Sequence, residues 1–126
     1  MVVPENLLYA KTHEWVEIDG GKARVGLTDY AQDALGDIVF LVLPREGAEA
    51  RAGEAVGEVE SVKAVSEVCA PVGGKIYAVN AALNDSPEQI NTDPYGAWIF
   101  EMDGAEMDGG LLTPEQYAEF CAGESH

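Results

Sequence analysis

Basic residues are scarce in this chain of 126 residues. Lysine and arginine together number 7, against 23 aspartates and glutamates, and the formal net charge is −16 at pH 7. A surface of this sign repels phosphate backbones and anionic lipid headgroups, so we expect neither nucleic-acid binding nor adsorption to a membrane. The charge favours association with basic patches on partner proteins, although solubility alone would also account for it.

Cysteine and histidine are scarce as well. The two cysteines, Cys69 and Cys121, lie far apart and in no CxxC motif. We therefore predict reduced, partly buried thiols rather than a disulfide framework. His13 stands beside Glu14, but no second histidine or cysteine lies at ligand spacing, which argues against a metal site.

Long apolar runs are also missing. No stretch is apolar enough to cross a membrane. The start, MVVPENLLYA, lacks a basic region, a cleavage pattern and the arginine-rich character of a transit peptide. These features predict a cytoplasmic protein, and the length predicts one domain, residues 1–126.

The most ordered pattern is VESVKAVSEV at residues 59–68, whose two arms mirror each other about Lys63 and Ala64. Both arms are rich in valine and contain neither glycine nor proline, which predicts two strands. A two-residue turn would pair Val62 with Val65 and place Lys63 at the tip of a hairpin.

This hairpin breaks two local rules. Lys-Ala is not a pair that tight two-residue turns favour, and Glu60 would face Glu67 as a like charge. A site that breaks local rules is a candidate functional site, although an ordinary surface hairpin with a solvated lysine has the same pattern. The two glutamates favour the charged form of Lys63, so nucleophilic catalysis by its amine is not expected. A protruding amine is better suited to modification by another enzyme.

The rest of the chain alternates short strand patterns with turn signals. Strands are predicted at residues 7–18, 22–26, 38–44, 75–79 and 97–102, with the run at 38–44 in the core. Helices are predicted at residues 28–35 with Thr28 as the N-cap, after an N-cap at Ser86, and from Thr113 to Gly123 with a capping box between Thr113 and Gln116. A polar loop is predicted at 45–54, and a loop or a frayed helix at the acidic, glycine-rich residues 103–110. Many short strands with only short helices indicate a small β barrel or sandwich.

The segment GEVESVKAVSEVCAPVGGKIYAVNAAL, residues 57–83, resembles the lipoyl-attachment region of glycine cleavage system H proteins. Three more segments resemble the same family: YAKTHEWV, VGLTDYAQDALGDIVFLVLP and NTDPYGAWIF. The resemblance covers nearly the whole chain, in order and at family spacing. Biotinyl domains usually flank their lysine with methionines, which Val62 and Ala64 are not.

The resemblance implies a mainly β fold, a flattened β barrel or barrel-sandwich hybrid of lipoyl-domain type, with a few short helices including a C-terminal one. It implies a carrier rather than an enzyme, with lipoic acid held by an amide on Lys63. The carrier would take an aminomethyl group from the P protein, glycine decarboxylase, to the T protein, aminomethyltransferase. The L protein, dihydrolipoyl dehydrogenase, would reoxidise the dithiol, and a lipoate ligase or lipoyl transferase would attach the lipoyl group.

The resemblance also implies a cleft that shelters the loaded arm, lined here by Thr12, Glu14 and Glu67. Ala34 stands where some family members have a histidine, so that contact is missing. The alternative for Glu14 is a solvent-facing strand residue. Two other functions stay open: a lipoyl reservoir for other lipoate-dependent complexes, and an unmodified acidic interaction protein.

Overall fold

Nine strands form two antiparallel sheets in the parts of the chain that the computed structural model describes, residues 1–106 and 110–124. The strands are β1 (Leu8–Tyr9), β2 (Glu14–Asp19), β3 (Lys22–Leu27), β4 (Ile38–Val42), β5 (Glu49–Ala50), β6 (Ala55–Ser61), β7 (Val65–Cys69), β8 (Gly73–Val79) and β9 (Phe100–Glu106). The large sheet has the order β1-β2-β3-β9-β8-β5, and the small sheet has the order β4-β6-β7.

Three helices accompany the sheets in the described residues: α1 (Asp29–Leu35), α2 (Gln89–Thr92) and the C-terminal α3 (Pro114–Glu124). A 3-10 turn covers Ala81–Asn84. This architecture confirms the predicted mainly β fold with a few short helices. None of the described helices is long and apolar enough to cross a bilayer.

The main core lies between the two sheets. Apolar side chains from both sheets pack there. Among them are Val25, Phe100 and Met102 of the large sheet and Leu41, Val59 and Val68 of the small one, and these six are at most 3% exposed. A second cluster joins α3 to the edge of the large sheet, where the rings of Tyr9 and Tyr117 stack with centroids 4.7 Å apart. Burial of apolar surface on this scale is the main force that holds the sheets together.

Two helix starts follow their predicted capping chemistry. The Thr28 hydroxyl accepts a hydrogen bond from the Ala31 N–H, 3.1 Å away, and so caps α1. Thr113 and Gln116 form a reciprocal capping box at α3, with bonds of 3.0 and 3.2 Å. Both cysteines are buried thiols, as predicted.

The predicted two-residue turn at the hairpin tip is wrong. Glu60 pairs with Val65, so residues 61–64 form a four-residue loop. Glu67 consequently faces Glu58 rather than Glu60. Lys-Ala cannot supply the positive φ angles of a tight turn at low energy, and the wider loop removes that requirement.

The prediction that the whole run at residues 38–44 lies in the core is also wrong. Its strand exists as β4, but Val39, Phe40 and Val42 are 52%, 51% and 47% exposed, whereas Leu41 is 3% exposed. Phe40 and Val42 alternate with the buried Leu41, because a sheet with one buried face leaves every second side chain in solvent even when all are apolar. A register shift between Ile38 and Phe40 interrupts this alternation, so Val39 is exposed as well.

Other element boundaries differ from the predictions. The 103–110 segment is not a loop at its start, because β9 continues to Glu106 through pairing with β8; residues 107–109 lie outside the described residues. The last strand begins at Phe100 rather than at residue 97. Helix α2 begins at Gln89 rather than directly after a Ser86 cap, and α3 continues past Gly123 to Glu124. The short β5 interrupts the loop predicted at 45–54. Pairing with β8 overrides the local loop signals at β5 and at the end of β9.

Candidate functional site

Lys63 lies in the exposed loop that joins β6 to β7. Ser61 holds this loop together: its N–H donates to the Ala64 carbonyl at 2.8 Å, and its Oγ accepts from the Ala64 N–H at 3.0 Å. A serine hydroxyl that bonds to nearby backbone in this way stabilises a turn. The lysine therefore projects from a loop that is closed by hydrogen bonds between Ser61 and Ala64.

The C-terminal end of α1 lies beneath the loop. A Cβ placed on Gly36 would be 3.4 Å from Cε of Lys63, so the lysine stem lies in contact distance of this glycine. Gly36 has φ +80° and ψ −159°, a conformation that side chains disfavour strongly. The next residue, Asp37, accepts a hydrogen bond from the Val62 N–H at 3.1 Å. These contacts hold the loop and the lysine stem in a defined position against the C-terminal end of α1.

Asn91 in α2 holds this support in place. Its Nδ2 donates to the Gly36 carbonyl at 2.9 Å and to Gln32 Oε1 at 3.0 Å, and its Oδ1 accepts from the Ile38 N–H at 2.9 Å. One amide side chain thus joins α1, β4 and α2 below the lysine loop. Nothing near Asn91 in the chain reveals these contacts, because the Gly36 and Ile38 partners lie more than 50 residues away.

The Lys63 amine is accessible and carries no ion pair within 4 Å among the described residues. No salt bridge has to break before the amine can react, and its stem is already supported. These features fit a covalent acyl group on Nζ.

Glu14 lies at the other end of the hairpin and is fully buried. Thr12 donates its hydroxyl to Oε1, and the Cys69 N–H donates to Oε2 at 3.1 Å. Burial raises the pKa of Glu14 to about 7, and the hydrogen bonds from Thr12 and Cys69 offset only part of that rise. The alternative that Glu14 is a solvent-facing strand residue is therefore wrong.

The structure brings Thr12 and Glu14 together but leaves Glu67 on the surface. Glu67 lies two residues before Cys69 on β7 and is exposed opposite Glu58. Burial raises the pKa of the Cys69 thiol, and the charges of Glu14 and Glu67 raise it further. A role for Glu67 in sheltering an arm stays a prediction. Ala34 is exposed on α1.

Lys63 and Glu14 are separated by the length of the hairpin. Five residues of β7 lead from Ala64 to Cys69, roughly 17 Å at about 3.4 Å per residue. An arm on Lys63 would have to fold back along the protein to reach the buried carboxyl.

His13 joins α3 to the rest of the protein. It adopts a left-handed backbone conformation with φ +74°. Its ring stacks on Tyr30 with centroids 4.7 Å apart, Nδ1 lies 2.7 Å from the Tyr117 hydroxyl, and Nε2 lies 3.0 Å from Glu124. No group of three or more metal-ligating side chains comes together within residues 1–106 and 110–124. His13 thus has a structural place next to the Thr12–Glu14 pair.

Known proteins of one family are similar to this chain in sequence, and one of them with a solved structure is similar in fold. The family model described as glycine cleavage H-protein matches residues 7–124. A glycine cleavage system H protein of Thermobifida fusca is 50% identical over 125 residues, which cover 98% of this chain and 99% of that protein. One from Geobacillus thermodenitrificans is 52% identical over 122 residues, 94% of this chain and 95% of that protein. The crystal structure of a glycine cleavage system H protein from Mycobacterium marinum has a TM-score of 0.85 and 42% identity, and the match covers 98% of this chain and 100% of that one. The chain belongs to the glycine cleavage H-protein family.

Proposed function

We propose that this protein carries lipoic acid as an amide on Lys63 and moves between the enzymes of the glycine cleavage system. Its family consists of carrier components that are not themselves catalytic, and the family carries lipoate. The observation that carries the assignment to Lys63 is its place at the exposed hairpin tip, with its stem against Gly36.

Attachment needs an unprotonated amine and an activated carboxyl. Nζ of Lys63 would attack the carbonyl carbon of an activated lipoyl group such as lipoyl adenylate, the amide bond would form as AMP leaves, and Nζ would release a proton. When bound, the lipoyl dithiolane supplies reversible disulfide–dithiol chemistry and a sulfur that can hold a one-carbon amine. The chain itself supplies the tether, which converts encounters between successive sites into a high local concentration.

Glu14 and Thr12 would receive the loaded end of the arm, which is the second part of the proposed mechanism. The buried Glu14 carboxyl has a pKa raised to about 7 by burial, so near neutral pH it can hold or release a proton. A cationic amine brought next to it would favour the carboxylate form, because an opposite charge stabilises that form. Thr12 orients the carboxyl through its hydroxyl. The pair is therefore suited to receive the amine end of a loaded arm.

The carrier role predicts saturable turnover in a reconstituted system. With P, T and L proteins at fixed concentrations, the rate of glycine oxidation should rise with the concentration of the lipoylated chain far beyond equimolar amounts and then saturate. A carrier behaves as a substrate of each enzyme and so shows an apparent Michaelis constant. The unmodified chain should give only background. A plateau reached at equimolar P protein would indicate a fixed subunit instead and would contradict the proposal.

Salt dependence should reveal whether the acidic surface guides the partners. The net charge of −16 should draw the carrier to basic patches on P, T and L proteins, and salt screens such attraction. Between ionic strengths of about 0.01 M and about 1 M the Debye length falls from about 30 Å to about 3 Å. The apparent Michaelis constant for the carrier should rise severalfold over that range, with a small change in the maximal rate. A flat response would assign the charge to solubility only.

The cytoplasmic location stays a prediction.

A further inference from the structure

The small sheet exposes one face that combines apolar and acidic side chains beside the lysine loop. Two rows of paired residues cross this sheet, and paired residues in neighbouring strands point to the same side. The row next to the loop is Phe40, Glu60 and Val65, and the row below it is Val42, Glu58 and Glu67. All six are exposed. We call these six residues the outer face.

Exposed apolar side chains are concentrated on the small sheet that carries the outer face, and on its loop. Nine large apolar residues are exposed in the described parts of the chain, and five of them lie on this sheet and its loop: Val39, Phe40, Val42, Val62 and Val65. The residues between them on the strands, such as Leu41 and Val59, are buried in the core. Clustered exposed apolar side chains mark interaction surfaces more often than scattered ones do.

The position of the outer face restricts what can cover it. An unmodified lysine stem reaches roughly 6 Å from its Cα, so an enzyme that acylates Nζ must bring its own surface close to the loop. A standard interface covers about 800 Å² on each partner, a patch about 16 Å in radius. The two rows lie within roughly 10 Å of the loop along the strands. They therefore fall inside the contact area of any enzyme that modifies Lys63.

The charge of the outer face indicates what kind of surface that enzyme must present to it. Three of the six residues are glutamates and none is basic. A complementary surface carries an apolar depression for Phe40 ringed by lysine or arginine. A second copy of this chain would instead place glutamates against glutamates if the same faces met, which is unfavourable. The later partners need only reach the end of an extended arm, so they have less need of this face.

We propose that the outer face is the docking surface for the enzyme that acylates Lys63, with Phe40 as the apolar anchor and Glu58 and Glu60 as the charged contacts. This proposal rests on the proposed function, in which Lys63 receives a lipoyl group. In that step lipoate and ATP form lipoyl adenylate and release pyrophosphate, Nζ of Lys63 then displaces AMP, and a proton is released as the amide forms.

Phe40→Ala tests the anchor. The assay supplies a lipoate ligase with lipoate and ATP and follows acylation of the purified chain by intact mass, with the chain as the varied substrate. Truncation of an aromatic anchor should lower kcat/KM roughly tenfold to thirtyfold, mainly through a higher KM, because docking is lost while the acylation step is not. Ile18→Ala is the matched control, since Ile18 is 39% exposed on β2 of the large sheet, and it should leave kcat/KM unchanged.

The double variant Glu58→Gln/Glu60→Gln tests the charged contacts. It should lower kcat/KM severalfold at low salt, and the difference from wild type should vanish as salt rises. The matched control is Glu17→Gln/Glu49→Gln, which removes the same charge from exposed positions on the large sheet. Glu67 is left unchanged because it is also a predicted cleft residue.

Two measurements keep docking apart from folding and from the chemistry of the amine. Urea midpoints of the variants should match wild type, and the rate at which a small acylating reagent labels Lys63 should be the same in all of them. The proposal is supported if Phe40→Ala and Glu58→Gln/Glu60→Gln lose enzymatic acylation while their chemical labelling at Lys63 is unchanged. Equal kcat/KM for Phe40→Ala and Ile18→Ala overturns it, as does a wild-type dimer that Phe40→Ala converts to a monomer. If even the wild type takes up no lipoyl group at Lys63, the proposed function fails rather than the docking surface.

Discussion

Lys63→Arg is expected to accept no lipoyl group and to give only background glycine oxidation. Arginine keeps the positive charge at the hairpin tip, but its guanidinium stays protonated at all working pH values and offers no amine to acylate. The fold should be unaffected, because Lys63 is exposed and surface substitutions of this kind change stability by about 0.5 kcal/mol or less. Intact mass of the variant after incubation with lipoate ligase, lipoate and ATP should equal that of the unmodified chain.

Other lysines supply the controls for this variant. Lys11, Lys22 and Lys75 are exposed as well, so Lys75→Arg should be acylated as fast as the wild type, at Lys63, as read from the proteolytic peptide. A lipoyl group found on any peptide of Lys63→Arg would contradict the assignment. Wild-type chain isolated without a lipoyl group from a host that lipoylates other proteins would support the unmodified acidic interaction protein. Transfer of the lipoyl group to the acceptor domain of another complex would support the reservoir.

The features that could be predicted from the sequence depend on residues close together in the chain. The caps at Thr28 and Thr113 need partners only three residues away. The mirrored valine-rich arms around Lys63 are a local pattern too, and they correctly indicate a hairpin with the lysine in its loop. In each case the physical cause lies within a few residues, so the one-dimensional pattern contains it.

The features that could not be predicted depend on distant partners. Burial of Glu14 follows from its contact with the Cys69 amide, 55 residues further on, and no local pattern distinguishes it from the exposed Glu17. The hydrogen bond from the Val62 N–H to the Asp37 carbonyl, which ties the lysine loop to the end of α1, has a partner that the hairpin pattern does not contain. The exposure of Phe40 depends on its place in an edge strand, because an unbroken apolar run has the same pattern whether one or both faces are buried.

Burial of Glu14 has a large consequence for stability. The carboxyl of an unfolded chain has a pKa near 4.5, and burial raises the pKa of Glu14 to about 7 in the folded protein. Between these values the folded state keeps a proton that the unfolded state has released, so the free energy of unfolding falls as pH rises. The loss is complete above about pH 7 and amounts to about 3 kcal/mol at about 1.36 kcal/mol per pKa unit. A protein that keeps such a group near neutral pH accepts a less stable fold, which is typical of functional sites.

Glu14→Gln should remove this pH-dependent loss. Glutamine can still accept from the Cys69 N–H and donate to the Thr12 hydroxyl, but it never ionises, so the variant should exceed wild type by about 1 kcal/mol at pH 5 and by about 3 kcal/mol at pH 8. Urea unfolding at both pH values measures the difference. Glu17→Gln, on the same strand but exposed, is the matched control and should differ from wild type by about 0.5 kcal/mol or less at either pH. A Glu14→Gln difference that stays constant from pH 5 to pH 8 would mean that the carboxyl ionises normally in the folded protein. It would then be an ordinary carboxylate near neutral pH, and the arrival of a cationic amine would release no proton from it.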